Sequence, residues 1–367
     1  MNTVFKIRTG SMSSKLLSSA DLSGLTLKNR TVMAPMTRCR AIGNIPNDLI
    51  AEYYGQRTEA GLIITEGTSP SPNGLGYARI PGIFSKEQTE AWKKVTAAVH
   101  PKGTKIFVQL MHVGRVGHPA NLIKDAELVA PSAVAAKGQM WTDSSGMQDM
   151  PVPREMNAVD LENTKNEFVS ASKNAVEAGF DGVELHSANG YLLEQFLNPG
   201  SNQRKDSYGG SIENRIRYVL ETAEAVAAAI GKNRVGIRLS PYSTFNDMSS
   251  FAETEEQYVL LAEKLNALGI AYIHLADNTG GKAKSTFGKI RKAFKNTLIL
   301  SVGYTKEKAE EDLASGAGDL IAFGKPFLSN PDLLTRFEKG KPLNDFDAST
   351  FYAADAKGYT DYPFLKD

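Results

Sequence analysis

Short apolar runs alternate with longer amphipathic stretches from residue 28 onward. The runs are Thr31–Ala34, Leu62–Thr65, Ile106–Leu110, Gly182–Leu185, Val235–Leu239, Ala271–Leu275, Leu298–Val302 and Leu320–Phe323. Most are bounded by glycine or polar residues and several are rich in Val and Ile, so each reads as a short buried strand. The intervening stretches carry helix signals. Asp48–Ala60 follows Asn47 and Lys86–Val99 follows Ser85, both good N-cap residues. Asp160–Ala178 sets Leu161, Phe168 and Val176 among charges and stops at Gly179, a C-cap signal. Ile212–Ile230, Glu253–Leu268, Lys306–Ser315 and Pro331–Glu338 continue the alternation, and Lys282–Phe294 has the least pronounced pattern. Eight runs alternating with helices, without a change of composition at the midpoint, predict one α/β domain, a (β/α)8 barrel. The runner-up, a doubly wound sheet, would normally carry a Gly-x-Gly-x-x-Gly turn after its first strand, and none follows residues 31–34.

Two departures from the alternation matter. Residues 111–159 are rich in Pro, Ser, Gly and Met, and a connection this long in a compact domain is usually functional. After strand three it would lie over the barrel's catalytic mouth. Residues 16–27, with Ser23-Gly24 in the middle, predict an N-terminal hairpin closing the barrel's bottom. Residues 1–15 carry Lys6, Arg8 and Lys15 without an acid and are taken as a disordered or tag-like tail ahead of a domain spanning 16–367.

Composition narrows the function. With 42 basic and 41 acidic side chains the net charge is +1, so a nucleic-acid partner is not expected. No segment nears the roughly 18 apolar residues of a membrane span. A single cysteine, Cys39, rules out an intramolecular disulfide and a self-contained cysteine-held iron–sulfur cluster, and it reads as an inert small residue. The expectation is a cytoplasmic protein, with organellar targeting by the basic N-terminus as the alternative, working as a monomer or homodimer.

On a barrel, catalytic groups cluster just past the strands' C-terminal ends. Those positions hold Pro35, Met36 and Thr37; Gly67; Gln109 with Met111 and His112; His186, Asn189 and Tyr191; Arg238; Gly303; and Gly324 with Lys325. Glycines after strands seven and eight suit a phosphate, with Lys325 or Arg238 to offset its charge. Gln109, Thr37 and Arg238 suit a flat heterocycle bearing carbonyls and ring nitrogens. Read alone, Arg238 could equally be a structural arginine paired with Glu184 or Glu66, and His186 a core histidine. Two histidines, His112 and His186, without a clustered carboxylate or cysteine do not make a metal site.

The run His186-Ser187-Ala188-Asn189-Gly190-Tyr191-Leu192-Leu193 carries the strongest resemblance, continuing through Asn202-Gln203-Arg204 and Tyr208-Gly209-Gly210-Ser211-Ile212-Glu213-Asn214-Arg215. Val32-Met33-Ala34-Pro35-Met36-Thr37-Arg38, Ile64-Thr65-Glu66-Gly67-Thr68, Val108-Gln109-Leu110-Met111-His112, Phe323-Gly324-Lys325-Pro326-Phe327 and Gly358-Tyr359-Thr360-Asp361-Tyr362-Pro363 support it in order. From residue 16 to the C-terminus the chain resembles the old yellow enzyme family of ene-reductases, in the threonine-type branch typified by yeast and plant enzymes. The resemblance implies a TIM barrel that holds FMN non-covalently, with NADPH or NADH as reductant and an enone, enal or nitroalkene as oxidant. It also implies roles. Pro35, Met36, Thr37, Gly67, Gln109 and Arg238 would contact the flavin, and Gly303, Gly324 and Lys325 its phosphate. His186 and Asn189 would bind the substrate's oxygen, Tyr191 would protonate the alpha carbon, and Tyr77, Met111 and Tyr359 would border the substrate. Three positions depart from the family pattern: Met111 replaces a common tryptophan, Lys325 a common arginine, and Gly67 a residue that is often alanine. A barrel aldolase using a Schiff-base lysine is the second enzyme class considered, and no strand core supplies that lysine. A flavin-binding protein without an alkene substrate is the third reading.

Overall fold

The computed structural model describes residues 14–366. Eight parallel strands close into a barrel in chain order. They are β1 (Thr31–Met33), β2 (Leu62–Thr68), β3 (Lys105–Leu110), β4 (Gly182–Ser187), β5 (Val235–Leu239), β6 (Tyr272–Ala276), β7 (Thr297–Ser301) and β8 (Leu320–Phe323). The barrel shuts where β8 pairs with β1, Ala322 opposite Val32. Around it run α1 (Asp48–Gln56), α2 (Lys86–Val99), α3 (Ala158–Glu177), α4 (Leu192–Leu197), α5 (Ile212–Ile230), α6 (Thr254–Leu268), α7 (Lys284–Ala293), α8 (Lys306–Ser315), α9 (Lys325–Ser329) and α10 (Leu333–Lys339). The single-barrel expectation holds.

Most element ends sit where caps place them. Ser85 and Gln88 form a capping box at α2, and Asn157 and Asp160 form another at α3, which starts two residues before the expected Asp160. The largest boundary difference is at α1, expected through Ala60 but ending at Gln56. Arg57 caps the helix there with its amide on the Tyr54 carbonyl, and its guanidinium binds the carbonyls of Phe327, Leu328 and Tyr359 in the buried interior. The periodic segment from Lys282 does form a helix, α7.

The expected hairpin is present, Ala20–Leu22 paired antiparallel with Leu25–Leu27. Leu22 and Leu27 pack with Val32, Leu62, Phe107 and Tyr272 at the N-terminal ends of the strands. The long connection after β3 carries its own antiparallel pair, Gln139–Thr142 with Gly146–Asp149. Of the expected 1–15 tail, residues 1–13 lie outside the described residues, whereas the Lys15 amide donates to Glu310 of α8 at 2.9 Å. No helix among the described residues is long and apolar enough to cross a membrane.

Candidate active site

At the C-terminal end of β4 the chain leaves the barrel through Ser187 and turns at Asn189-Gly190, both with left-handed backbone, before α4 begins. His186 and Tyr191 are thereby brought together, ring centroids 4.8 Å apart and nearly edge to face. The Tyr191 hydroxyl lies 3.0 Å from that of Tyr77. Asn189 Oδ1 accepts a hydrogen bond from Asn278 Nδ2 at 2.8 Å, which leaves the Asn189 amide N–H groups for another partner.

Charge states follow from burial. Burial, with the positive Arg238 and the His274 ring nearby, holds His186 well below the usual imidazole range, so it is neutral and can donate one N–H. Its Nδ1 is buried without a hydrogen-bond partner. Burial raises the Tyr191 phenol above its ordinary value, keeping it protonated. A neutral donor and a protonated phenol on adjacent positions can hold an oxygen and deliver a proton.

A buried polar group adjoins them, with Arg238 opposite His186 and His274 opposite Arg238 in the strand register. Glu184 accepts from Gln109 Nε2 at 2.8 Å and pairs with His274 Nδ1 at 2.9 Å. Burial opposes ionisation of Glu184, but His274, Arg238 and Gln109 outweigh it and hold the carboxyl below its ordinary value. Because Gln109 gives one N–H to Glu184, its side-chain oxygen and second N–H remain for another partner. Arg238, 8% exposed, is the unbalanced member. Its Nε has no partner, and Glu184, a suspected counterion, is engaged by Gln109 and His274 instead. A buried guanidinium left with unpaired donors is costly unless a ligand completes it. An electron-rich heterocycle with carbonyl acceptors fits that gap.

Gly303 and Gly324 end neighbouring strands, since β7 and β8 pair in register with Ser301 opposite Ala322. Val302 and Gly303 both take left-handed backbone, unusual for a β-branched residue. Lys325, expected to grip phosphate, is exposed, and its ammonium sits 4.9 Å from the Phe346 ring centroid. Pro35 is buried at the end of β1, with Met36 and Thr37 half-buried beyond it.

A cavity of about 620 Å³ opens beside the tyrosines, walled by Tyr77, Met140, Trp141, Met150, Phe245 and Tyr352 among others. Of the three residues expected to border the substrate, Tyr77 lines this cavity, whereas Met111 and Tyr359 do not. Tyr359 is fully buried, stacked on Tyr53 with centroids 3.9 Å apart, and Tyr352 is the C-terminal tyrosine that faces the cavity. Both tyrosines lie in one short tail, and only the tertiary path of that tail separates their roles. Met111 is 1% exposed and packs in the cluster that contains Tyr191. Cys39 also lines the cavity, with burial pushing its thiol up to about 12, so it is not a thiolate at neutral pH.

Sequence reasoning missed Arg40, an arginine one residue past Cys39. Its guanidinium donates to the carbonyls of Thr350, Phe351, Asp355 and Lys357, tying the segment that carries Tyr352 to the loop after β1. Nothing local in the sequence announces a contact across that distance.

Residues 16–344 match the NADH:flavin oxidoreductase / NADH oxidase family. A 12-oxophytodienoate reductase of Oryza sativa subsp. japonica is 42% identical over 96% of this chain and 93% of its own length. A probable flavin mononucleotide-dependent alkene reductase of Leishmania infantum is 41% identical over 94% of this chain and 96% of its own. Among solved structures, morphinone reductase superposes with a TM-score of 0.92 at 41% identity, covering 96% of this chain and 97% of that protein. An old yellow enzyme homologue from Zymomonas mobilis gives 0.91 at 40% identity, covering 96% and 100%. The fold, the buried cation left for a ligand and likeness over nearly the whole length lead to one assignment: the chain belongs to the NADH:flavin oxidoreductase / NADH oxidase family and is a flavin oxidoreductase.

Proposed function

We propose that this protein is an FMN-dependent ene-reductase, with residues 16–367 as one FMN-binding barrel domain. The observation that carries the reading is the pairing of neutral His186 with protonated Tyr191 at the end of β4, with the unpaired Arg238 opposite His186 on β5. The relatives named as alkene and oxophytodienoate reductases support the reaction class. A morphinone reductase structure containing tetrahydroNAD supports a nicotinamide partner.

When bound, FMN would supply hydride chemistry between NADPH or NADH and an electron-poor alkene. The chain's own residues do the rest. Arg238 holds the electron-rich edge of the ring and favours negative charge there. Thr37 and Gln109 contribute a hydroxyl and an acceptor oxygen, while Pro35, Met36 and Gly67 pack against the ring. The glycine turns at 303 and 324 offer backbone to the phosphate, with Lys325 free to swing from Phe346 toward it. His186 Nδ1 or Nε2 and Asn189 Nδ2 donate to the carbonyl or nitro oxygen of the substrate. Withdrawal of electron density by these donors stabilises the enolate-like charge that grows on that oxygen. Tyr191 then passes its proton to the alpha carbon. Tyr77 and Tyr352 border the bound alkene, and Met111 shapes the space beneath it.

The test is direct. Purified protein should carry yellow FMN that NADPH or NADH bleaches and that 2-cyclohexen-1-one restores under anaerobic conditions. Protein that refuses FMN, or reduced protein that the enone leaves bleached, removes the proposal.

A further inference from the structure

The turn between His186 and Tyr191 is held from both sides. Asn189 and Gly190 are consecutive left-handed residues with φ of 57° and 79°. A Cβ at Gly190 would meet Asn246 Cβ at 2.8 Å and the Phe245 carbonyl oxygen at 2.9 Å, so only glycine fits. Successive N–H groups in such a turn make a small anion-binding concavity.

Here the anion is the chain's own Glu194, in α4 and 3% exposed. Gly190 N donates to its Oε2 at 2.6 Å. Asn189 N donates to Ser240 Oγ at 2.8 Å, and that hydroxyl donates to Glu194 Oε1 at 2.8 Å. Tyr258, on α6, donates to the same oxygen at 2.8 Å. The turn's carbonyls are held as well, Asn189 O by Asn246 Nδ2 and Gly190 O by Gln195 Nε2, each at 2.7 Å. A buried carboxylate is not needed to pack α4, whose residues are all buried and mostly apolar. It is needed to satisfy these donors.

We propose that Glu194 is a positioning residue whose carboxylate fixes the Asn189–Gly190 turn and so sets how firmly the substrate's oxygen is clamped. The inference rests on the ene-reductase reading of Asn189 and Tyr191.

The charge state matters because every group facing Glu194 is a donor. Once protonated, the carboxyl presents a hydrogen to Gly190 N–H or forces the Ser240 or Tyr258 hydroxyl to turn away. Burial pushes this carboxyl up to about 7, against the pull of Gly190, Ser240, Tyr258 and the more distant Arg238. The clamp therefore loosens as pH falls through neutrality.

Two readouts test this on wild-type, E194Q and S240A holoenzymes. Amide hydrogen exchange at Asn189 and Gly190 should speed up in E194Q, and at Asn189 in S240A, which keeps the carboxylate but cuts the relay. The KM for 2-cyclohexen-1-one in the wild type should rise on the acid side of an inflection near pH 7. E194Q should lose that inflection and show a KM raised on the order of tenfold at alkaline pH, the scale of one weakened hydrogen bond to the substrate. Unchanged exchange together with a wild-type KM profile in E194Q overturns the proposal. If E194Q does not fold, S240A decides, and unchanged Asn189 exchange there overturns it equally. An enone inert toward the wild type would instead sink the ene-reductase reading, while the exchange result would still judge the anchor.

Discussion

Tyr77 meets Tyr191 hydroxyl to hydroxyl at 3.0 Å, with the rings edge to face. Burial raises both phenols, Tyr77 well above its ordinary value, so neither ionises near neutral pH. One O–H must donate to the other. When Tyr77 donates, the Tyr191 proton is free to turn toward a substrate, and the Tyr77 hydroxyl then stabilises the oxygen left behind. The pair is a proton donor with a built-in support for its conjugate base.

Replacing Tyr191 with Phe should slow reoxidation of the reduced enzyme by 2-cyclohexen-1-one about 10²–10⁴-fold, the usual worth of general acid help. Reduction by NADPH should stay near the wild-type rate. Tyr77→Phe should slow only reoxidation, about tenfold, the worth of one hydrogen bond to a developing charge. Rapid-mixing measurements of the two half-reactions check this; equal losses in both for Tyr191→Phe would count against its role.

Burial pushes Glu66 up to about 7 against the pull of Arg38, Arg40 and Tyr54, and Glu194 stands at about 7 as well. Both folded values exceed the ordinary carboxyl value of 4.5. The folded state therefore binds more protons than the unfolded chain between pH 4.5 and about 7. The stability these two groups lend is complete below the lower limit and is lost as pH rises through the upper one. The slope is on the order of 1 kcal/mol per pH unit per group. Urea melts across this window should show Glu66→Gln with a shallower decline than the wild type. A parallel decline would place the titration elsewhere.

What could be read from the sequence was periodic and local. Strands with apolar runs, helices with Asn47 or Ser85 at their starts, and the hairpin around Ser23-Gly24 all appear where the pattern put them. The position of His186 at a strand end follows from the same pattern. Long-range polar holds were not legible. Arg57 caps α1 and binds carbonyls on α9 and in the C-terminal tail, and Glu194 looks like any charge on an amphipathic helix until α4 is seen to be buried on all sides. Tyr352 and Tyr359 differ only in the path of the chain between them, and Arg40 controls that path.

That control can be measured. Arg40→Met should strip a donor from four carbonyls of the 350–357 segment and orphan two of them, Asp355 O and Lys357 O, because Phe351 O keeps Arg38 Nε and Thr350 O keeps Ala353 N. Each orphaned carbonyl costs about 1–3 kcal/mol when buried. Water can reach the exposed part of the segment, so a net loss of about 2–4 kcal/mol is expected from the same range. Since Tyr352 rides on this segment, KM for bulky enones should rise more than KM for cyclohexenone. Calorimetry and hydrogen exchange over 350–358 read the first effect, and steady-state KM for bulky and small enones reads the second. A stable variant with unchanged exchange would show that Arg40 does not hold the wall.

Gly67 and Met111 form the last testable pair. A Cβ on Gly67 would lie 2.5 Å from Met111 Sδ, 2.6 Å from its Cε and 3.1 Å from its Cβ. The thioether thus occupies the space that an alanine methyl would fill. Sδ and Cε end a flexible side chain, so Gly67→Ala should displace Met111 rather than unfold the barrel, with a stability loss of about 1 kcal/mol, at the low end for overpacking. Met111 packs in the Tyr191 cluster, so its displacement shifts the packing around that phenol. Gly67→Ala should therefore raise KM for β-substituted enones while leaving unsubstituted cyclohexenone little changed. Pairing it with Met111→Ala should restore the bulky substrates, because the methyl then has room. Steady-state KM across the two single variants and the double variant measures the coupling. Additive effects in that cycle would mean the two side chains do not compete for one space.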